Sequence, residues 1–185
     1  MQTNGLNSIV ADLPASGYNF PQGMVVWYRT SKYDKDGFCT DHASHSELPL
    51  VHAILPEDSL PADYTIAGVT LVSTTASITD TVTRATVHIS GSVMFCNTSR
   101  EQISAGQEVW AKIVKAPLTP DGKGNTVPET IGRIAEDTHK SLTEANYKFL
   151  GLCVQGAIGS DIRNSRLSFG QVMLGCSNTY YVKSI

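Results

Sequence analysis

Residues 85–95 read ATVHISGSVMF, and this short stretch decides the fold class of the chain. Counted from Ala85, every second residue is apolar or small, while most of the residues between them are polar. Successive side chains of a β-strand point to opposite faces, so this period of two predicts one long strand with one buried face. Gly91, in the middle of the stretch, predicts a bend or a bulge in that strand.

Similar strand patterns occur on both sides of this stretch, whereas only residues 137–147 suggest a helix, and of two turns at most. Turn residues separate the patterns throughout the chain. We therefore predict an all-β fold, a single small β-barrel or sandwich of about eight short strands with an extended N-terminal arm and long polar loops. The predicted strands are residues 23–29, 64–74, 85–95, 108–114, 131–135, 148–155, 170–176 and 179–183.

The first 22 residues contain two glycines and two prolines but few apolar residues at regular spacing. We predict that residues 1–22 form the extended arm, which lies on the body or on a neighbouring protein, and that residues 23–185 form a single β-rich domain. Deleting the arm is expected to leave a folded domain that no longer binds its partner. The apolar side chains of the arm are the candidates for partner contact: Leu6, Ile9, Val10, Leu13, Tyr18 and Phe20.

The composition indicates an ordinary globular protein with a weak electrostatic field. Hydrophobic residues make up 41% of the 185 residues, which is enough for one buried core. Charged residues make up only 17%, compared with roughly 25% in typical soluble domains. A net charge of −3 without a basic cluster argues against nucleic-acid binding. No apolar run suits a membrane span and no secretory leader is evident, so we expect no membrane partner and synthesis in a cytosol.

The loop at residues 39–45 holds the best candidate for metal chemistry. Cys39, His42 and His45 follow a Cys-x2-His-x2-His spacing, and His52 lies seven residues further on. Thiol and imidazole groups are transition-metal ligands, but a structural zinc site needs four, and no Cys-x2-Cys or His-x3-His partner accompanies these three. We expect a solvated loop without a cofactor, although a metal site or a small enzyme using these residues remains the alternative.

Other features of the sequence point away from catalysis. The chain has no Gly-x-Ser-x-Gly elbow, no phosphate-binding glycine loop and no His-Glu-x-x-His motif. The cysteines at 96, 153 and 176 lie in or beside strand-like apolar runs, so we expect buried free thiols there. Asn97 begins a formal glycosylation sequon that we expect to stay unmodified. We expect the protein not to be an enzyme.

Four short motifs occur in a characteristic order between residues 82 and 176: GSV at 91–93, SAGQEV at 104–109, FLGLCV at 149–154 and GQVMLG at 170–175. This order resembles the small β-barrel heads of viral capsid-decorating (cement) proteins. The resemblance implies a minor capsid protein without enzymatic activity that clamps neighbouring major capsid proteins. It also implies a homo-oligomer, with a trimer favoured, and a location on the capsid surface of a virion assembled in the host cytoplasm.

Aromatic residues support an alternative function of a different class. Trp27, Tyr28, Tyr180 or Tyr181 could stack on sugar rings, as in a carbohydrate- or receptor-binding β-sandwich on a virion or cell surface.

Overall fold

The computed structural model describes residues 7–14, 19–30, 48–56, 58–75, 82–113, 115, 119–120, 126–127, 131–132, 147–160, 164 and 166–175. A 3-10 helix at Pro61–Asp63 precedes the fourth of the strands in this part of the chain. The strands are β1 (Ser8–Pro14), β2 (Asn19–Phe20), β3 (Val25–Arg29), β4 (Tyr64–Thr70), β5 (Thr74–Thr75), β6 (Val82–His88), β7 (Ser92–Asn97), β8 (Glu108–Lys112), β9 (Thr119–Pro120), β10 (Thr126–Val127), β11 (Ile131–Gly132), β12 (Tyr147–Gln155) and β13 (Ser168–Leu174).

The strands form two main antiparallel sheets, so the predicted all-β fold is confirmed. One sheet has the order β1-β6-β4-β3, and the other has the order β11-β8-β12-β13-β7. Two small pairs, β2-β5 and β9-β10, accompany them. The arrangement is compatible with a sandwich, and the described strands show no closure into a barrel. Residues 137–146 of the helix candidate and the predicted strand at 179–183 lie outside the described residues, and Tyr147 is the first residue of β12.

The prediction of one continuous strand over residues 85–95 is wrong, although the predicted bend at Gly91 is confirmed. The chain leaves the first sheet after His88 and enters the second at Ser92, so the two halves of the stretch pair with different strands. Gly91 adopts a φ of +84° at the corner. This left-handed conformation is easily accessible to glycine, and it lets the chain change direction within three residues.

The two halves of this stretch also face two different hydrophobic cores. Ala85 and Val87 belong to one core and Val93 and Phe95 to the other. The first core lies between the two sheets: Val25, Trp27, Leu55, Tyr64, Val69, Val93, Phe95, Ile103, Val109, Ala111, Ile113, Leu150, Cys153, Ala157 and Val172. The second core lies against the other face of the four-stranded sheet: Ala11, Leu13, Phe20, Met24, Val26, Val51, Ala53, Ala67, Ala85 and Val87.

Part of the predicted N-terminal arm is an integral strand of the domain. All seven residues of β1 pair with β6, from Ser8 opposite His88 to Pro14 opposite Val82. The physical reason is burial, because Ala11 and Leu13 supply side chains to the second core. Residues 1–6 and 15–18 lie outside the described part of the chain.

The proline-flanked segment at residues 49–52 connects the two edges of the four-stranded sheet. The Asp12 amide donates to the Pro49 carbonyl at 2.9 Å, and the Val51 amide donates back to the Asp12 carbonyl at 2.9 Å. At the opposite edge, Trp27 and His52 exchange two backbone hydrogen bonds of 2.8 and 2.9 Å. Each contact is an isolated bridge and does not extend into a ladder.

Candidate functional site

The structure separates the predicted partner-binding residues of the arm into different environments. Leu13 and Phe20 are buried in the second core, and Ile9 packs against it. Only Val10 among the described members is exposed. Strand alternation explains this difference in β1, because Val10 points away from the face that carries Ile9 and Ala11. Leu6 and Tyr18 lie outside the described residues.

The candidate metal ligands Cys39, His42 and His45 also lie outside the described residues. In the part of the chain that the structure does describe, no group of three or more His, Cys, Asp or Glu side chains is placed to hold a metal ion. His52 packs edge-on against the Tyr64 ring with a centroid distance of 5.9 Å.

The outer face of the five-stranded sheet carries the largest described set of exposed apolar side chains on regular structure. Val93 and Val172 point into the first core, so their neighbours Met94, Phe169 and Gln171 point away from it. Met94 lies directly opposite Gln171, and Phe169 is the next outward residue along β13. Met94 and Phe169 are each 40% exposed. They are diagonal neighbours in the sheet, which is within reach for long side chains.

The same outward row continues across β13 and β12 without a charged side chain, and it ends at Glu108 on β8, which lies opposite Leu152. Met173 lies opposite Ser92 on β7 and opposite Leu152 on β12. Gln155 lies opposite Gln171 next to a bulge in β12. We call this surface the uncharged outer face, defined by Ser92, Met94, Leu152, Gln155, Phe169, Gln171 and Met173.

Sequence reasoning missed this face because it combines residues from three strands that are distant in sequence. Each strand showed alternation, but alternation alone does not tell which apolar residues lie in the core when both faces carry them. Met94 was the one apolar exception among the polar positions of residues 85–95. This apolar residue at an otherwise polar position is the sequence signal that could have predicted an exposed apolar side chain on the outer face.

The described cysteines are buried free thiols, as predicted for Cys96 and Cys153. Burial raises the pKa of the Cys96 thiol from 9.0 to about 12. Burial also raises the pKa of the Cys153 thiol, while its hydrogen bond to the Gln155 carbonyl acts in the opposite direction. A thiol with a raised pKa forms little thiolate at neutral pH, so neither residue has the electrostatic setting of a nucleophile.

Two further sequence features receive a structural explanation. Trp27 is 1% exposed in the first core and therefore presents no ring surface to a sugar, whereas Tyr28 is half-buried. Tyr180 and Tyr181 lie outside the described residues. The side-chain nitrogen of Asn97 donates to the carbonyls of Glu101 and Ile158 and is fully buried, so the sequon is inaccessible in the folded chain.

A scan against protein-family models finds no match to this chain, and searches of curated proteins and of solved structures find no significant match. Among the described residues, no helix is long and apolar enough to cross a membrane.

Proposed function

We propose that the chain is a non-enzymatic structural protein of a virus particle, which decorates or cements the capsid by binding neighbouring major capsid proteins. The observation that carries the proposal is the uncharged outer face. Protein interfaces are enriched in Met and aromatic residues and depleted of charge at their centres, and this face has that composition. Contiguous exposed apolar side chains on a folded domain mark interaction surfaces.

The uncharged outer face lies next to a sheet edge, which offers a capsid protein a second way to bind, through backbone pairing. β7 is an edge strand of the five-stranded sheet, and the Cys96 amide donates to the Gly23 carbonyl near one end of it. Gly23 occupies the edge at Cys96, and the remaining length of β7 around Met94 can accept an extended segment of a partner through backbone hydrogen bonds, with side chains of the adjoining face giving specificity. Low surface charge suits such binding by shape, and we propose that the protein assembles as a homo-oligomer, with a trimer favoured.

The first test introduces charge into the uncharged outer face. Met94→Glu and Phe169→Glu are made in the full chain, together with the control Val72→Glu, which alters an exposed apolar residue elsewhere. We expect the two face variants to lose co-sedimentation with purified capsids of the encoding virus by about tenfold or more, because a desolvated charge is costly in an interface. The control variant should bind like the wild type.

The same co-sedimentation assay distinguishes binding through the uncharged outer face from binding through the N-terminal strand β1. Val10→Glu changes the exposed apolar residue of β1, so loss of binding in this variant alone would assign the contact to the N-terminal strand. Wild-type binding by both face variants would overturn the assignment to the uncharged outer face. Glycan binding by the isolated protein without any capsid binding would replace the proposal with the carbohydrate-binding alternative.

A further inference from the structure

A cleft of about 160 Å³ lies beside the turn that follows β7, apart from the uncharged outer face. Its described lining residues are Arg100, Gly159, Ser160 and Arg166. One water molecule requires roughly 10–15 Å³ of such space, so the cleft can accept a group of several heavy atoms.

The described lining of the cleft carries two positively charged guanidinium groups. Arg100 and Arg166 are both exposed side chains, and within the described ranges neither guanidinium has an ion-pair or hydrogen-bond partner. A guanidinium stays charged throughout the physiological pH range and presents several N–H donors in a planar fork. The two guanidinium groups at the cleft therefore offer several N–H hydrogen-bond donors that no acceptor in the described part of the chain satisfies.

The hydroxyl of Ser160 is a further donor at the same place. Ser160 is only 3% exposed, and its Oγ is buried without a hydrogen-bond partner among the residues that the structure describes. Leaving a buried hydroxyl unpaired costs free energy, and native proteins rarely do so without a reason. Because Ser160 lines the cleft, rotation of its side chain can bring this hydroxyl to a group bound there, which then supplies the missing partner.

Both walls of the cleft are held in place by backbone contacts. The Ser160 amide donates to the Ser99 carbonyl at 2.9 Å. Gly159 packs so closely on Arg100 that a Cβ at this position would overlap the Arg100 carbonyl. The structure thus fixes the turn that carries Arg100 against the segment that carries Ser160.

The Asn97 side chain forms hydrogen bonds with both the turn that carries Arg100 and the segment that precedes Ser160. Its side-chain nitrogen donates to the Glu101 carbonyl at 2.8 Å and to the Ile158 carbonyl at 3.0 Å. Its side-chain oxygen accepts from the amide and the hydroxyl of Ser99 at 3.0 and 2.7 Å. Because the backbone of these two segments is already ordered, binding avoids part of its entropy cost.

We propose that this cleft binds a compact oxyanion. The guanidinium groups of Arg100 and Arg166 contact its oxygens, and Ser160 Oγ donates a hydrogen bond to it. Arginine forks match the geometry of carboxylate, sulfate and phosphate groups, which share this chemistry. The anion is either a free inorganic ion or a carboxylate carried by another molecule. The inference rests on residues separate from the uncharged outer face and does not depend on the proposed capsid role.

The test measures anion binding to the full chain by isothermal titration calorimetry at constant ionic strength. Sodium phosphate, sodium sulfate and sodium acetate are titrated separately against a sodium chloride background. We expect saturable binding of at least one anion with one site per chain. Binding of phosphate or sulfate would identify the inorganic source, and binding of acetate alone would identify a carboxylate.

Variants then assign the binding to the cleft. The double variant Arg100→Gln, Arg166→Gln should weaken the affinity by about tenfold or more, because charge-assisted hydrogen bonds are the stronger ones. Arg84→Gln makes the same type of change at an exposed position of the four-stranded sheet and should bind like the wild type. Absence of saturable binding for all three anions would overturn the proposal, as would wild-type affinity in the double variant.

Ser160→Ala separates a binding role from a structural one. The variant should lower the anion affinity several-fold while leaving the thermal unfolding midpoint of the free protein unchanged or higher, because it removes an unpaired buried hydroxyl. Unchanged affinity together with a lower midpoint would show that the hydroxyl serves the fold, and would remove Ser160 from the site.

Discussion

At the scale of the residue, Cys96 shows how burial links protonation to stability. Its thiol is completely buried, and the pKa rises to about 12 because the thiolate would lose its solvation. In the unfolded chain the same thiol ionises near 9.0. The folded state therefore keeps a proton that the unfolded state releases. This stabilisation is complete below pH 9 and declines as the pH rises from 9 toward 12.

We expect the free energy of unfolding to fall more steeply above pH 9 in the wild type than in Cys96→Ala. Urea denaturation at pH 8, 9, 10 and 10.5 measures this difference, and the comparison cancels the titration of tyrosine and lysine residues that both proteins share. Parallel pH profiles of the two proteins would contradict a raised pKa at Cys96.

At the scale of the element, the corner between β6 and β7 divides the alternating stretch at residues 85–95 between two sheets. The Ile89 amide still donates to the Asn7 carbonyl next to β1, whereas the Gly91 carbonyl accepts from the Leu174 amide at the end of β13. The change of sheet is thus complete within three residues. Gly91, at this corner, has a left-handed backbone conformation.

Gly91→Ala should destabilise the fold by about 1–2 kcal/mol, the cost of placing a Cβ in the left-handed region. Apart from Gly91 and its two chain neighbours, no heavy atom of the described residues lies within 4 Å of that Cβ, so the loss comes from backbone conformation. Gly91→Asn is the matched control and should cost less, because asparagine adopts this conformation more readily. Chemical denaturation measures both variants. Equal stability of Gly91→Ala and the wild type would show that the corner tolerates another conformation.

At the scale of the whole molecule, the four-stranded sheet contributes side chains to a core on each of its two faces. One face packs on the five-stranded sheet through the first core, and the other covers the second core. Residues 49–52 bind both edges of this sheet and place Val51 in the second core. If residues 49–52 detach from either edge, Val51 and other side chains of the second core become exposed to solvent.

We expect the amides of Asp12, Trp27, Val51 and His52 to exchange hydrogen at one common slow rate, because they become free only when the sheet unfolds globally. Hydrogen exchange followed by NMR tests this, with the Gln107 amide in the turn before β8 as the reference for local opening. Much faster exchange of Val51 and His52 than of Asp12 and Trp27 would show that the segment detaches by itself.

The sequence by itself determined the strand content, the bend at Gly91 and the burial of Cys96 and Cys153, because alternation and local turn chemistry act within a few residues. Only the tertiary structure decided that Ala85 and Val87 face a different core from Val93 and Phe95. It also decided that β1 joins a sheet, and that Arg100, Ser160 and Arg166 meet at one cleft. These outcomes depend on pairing between segments far apart in the chain, and no local pattern specifies such pairing.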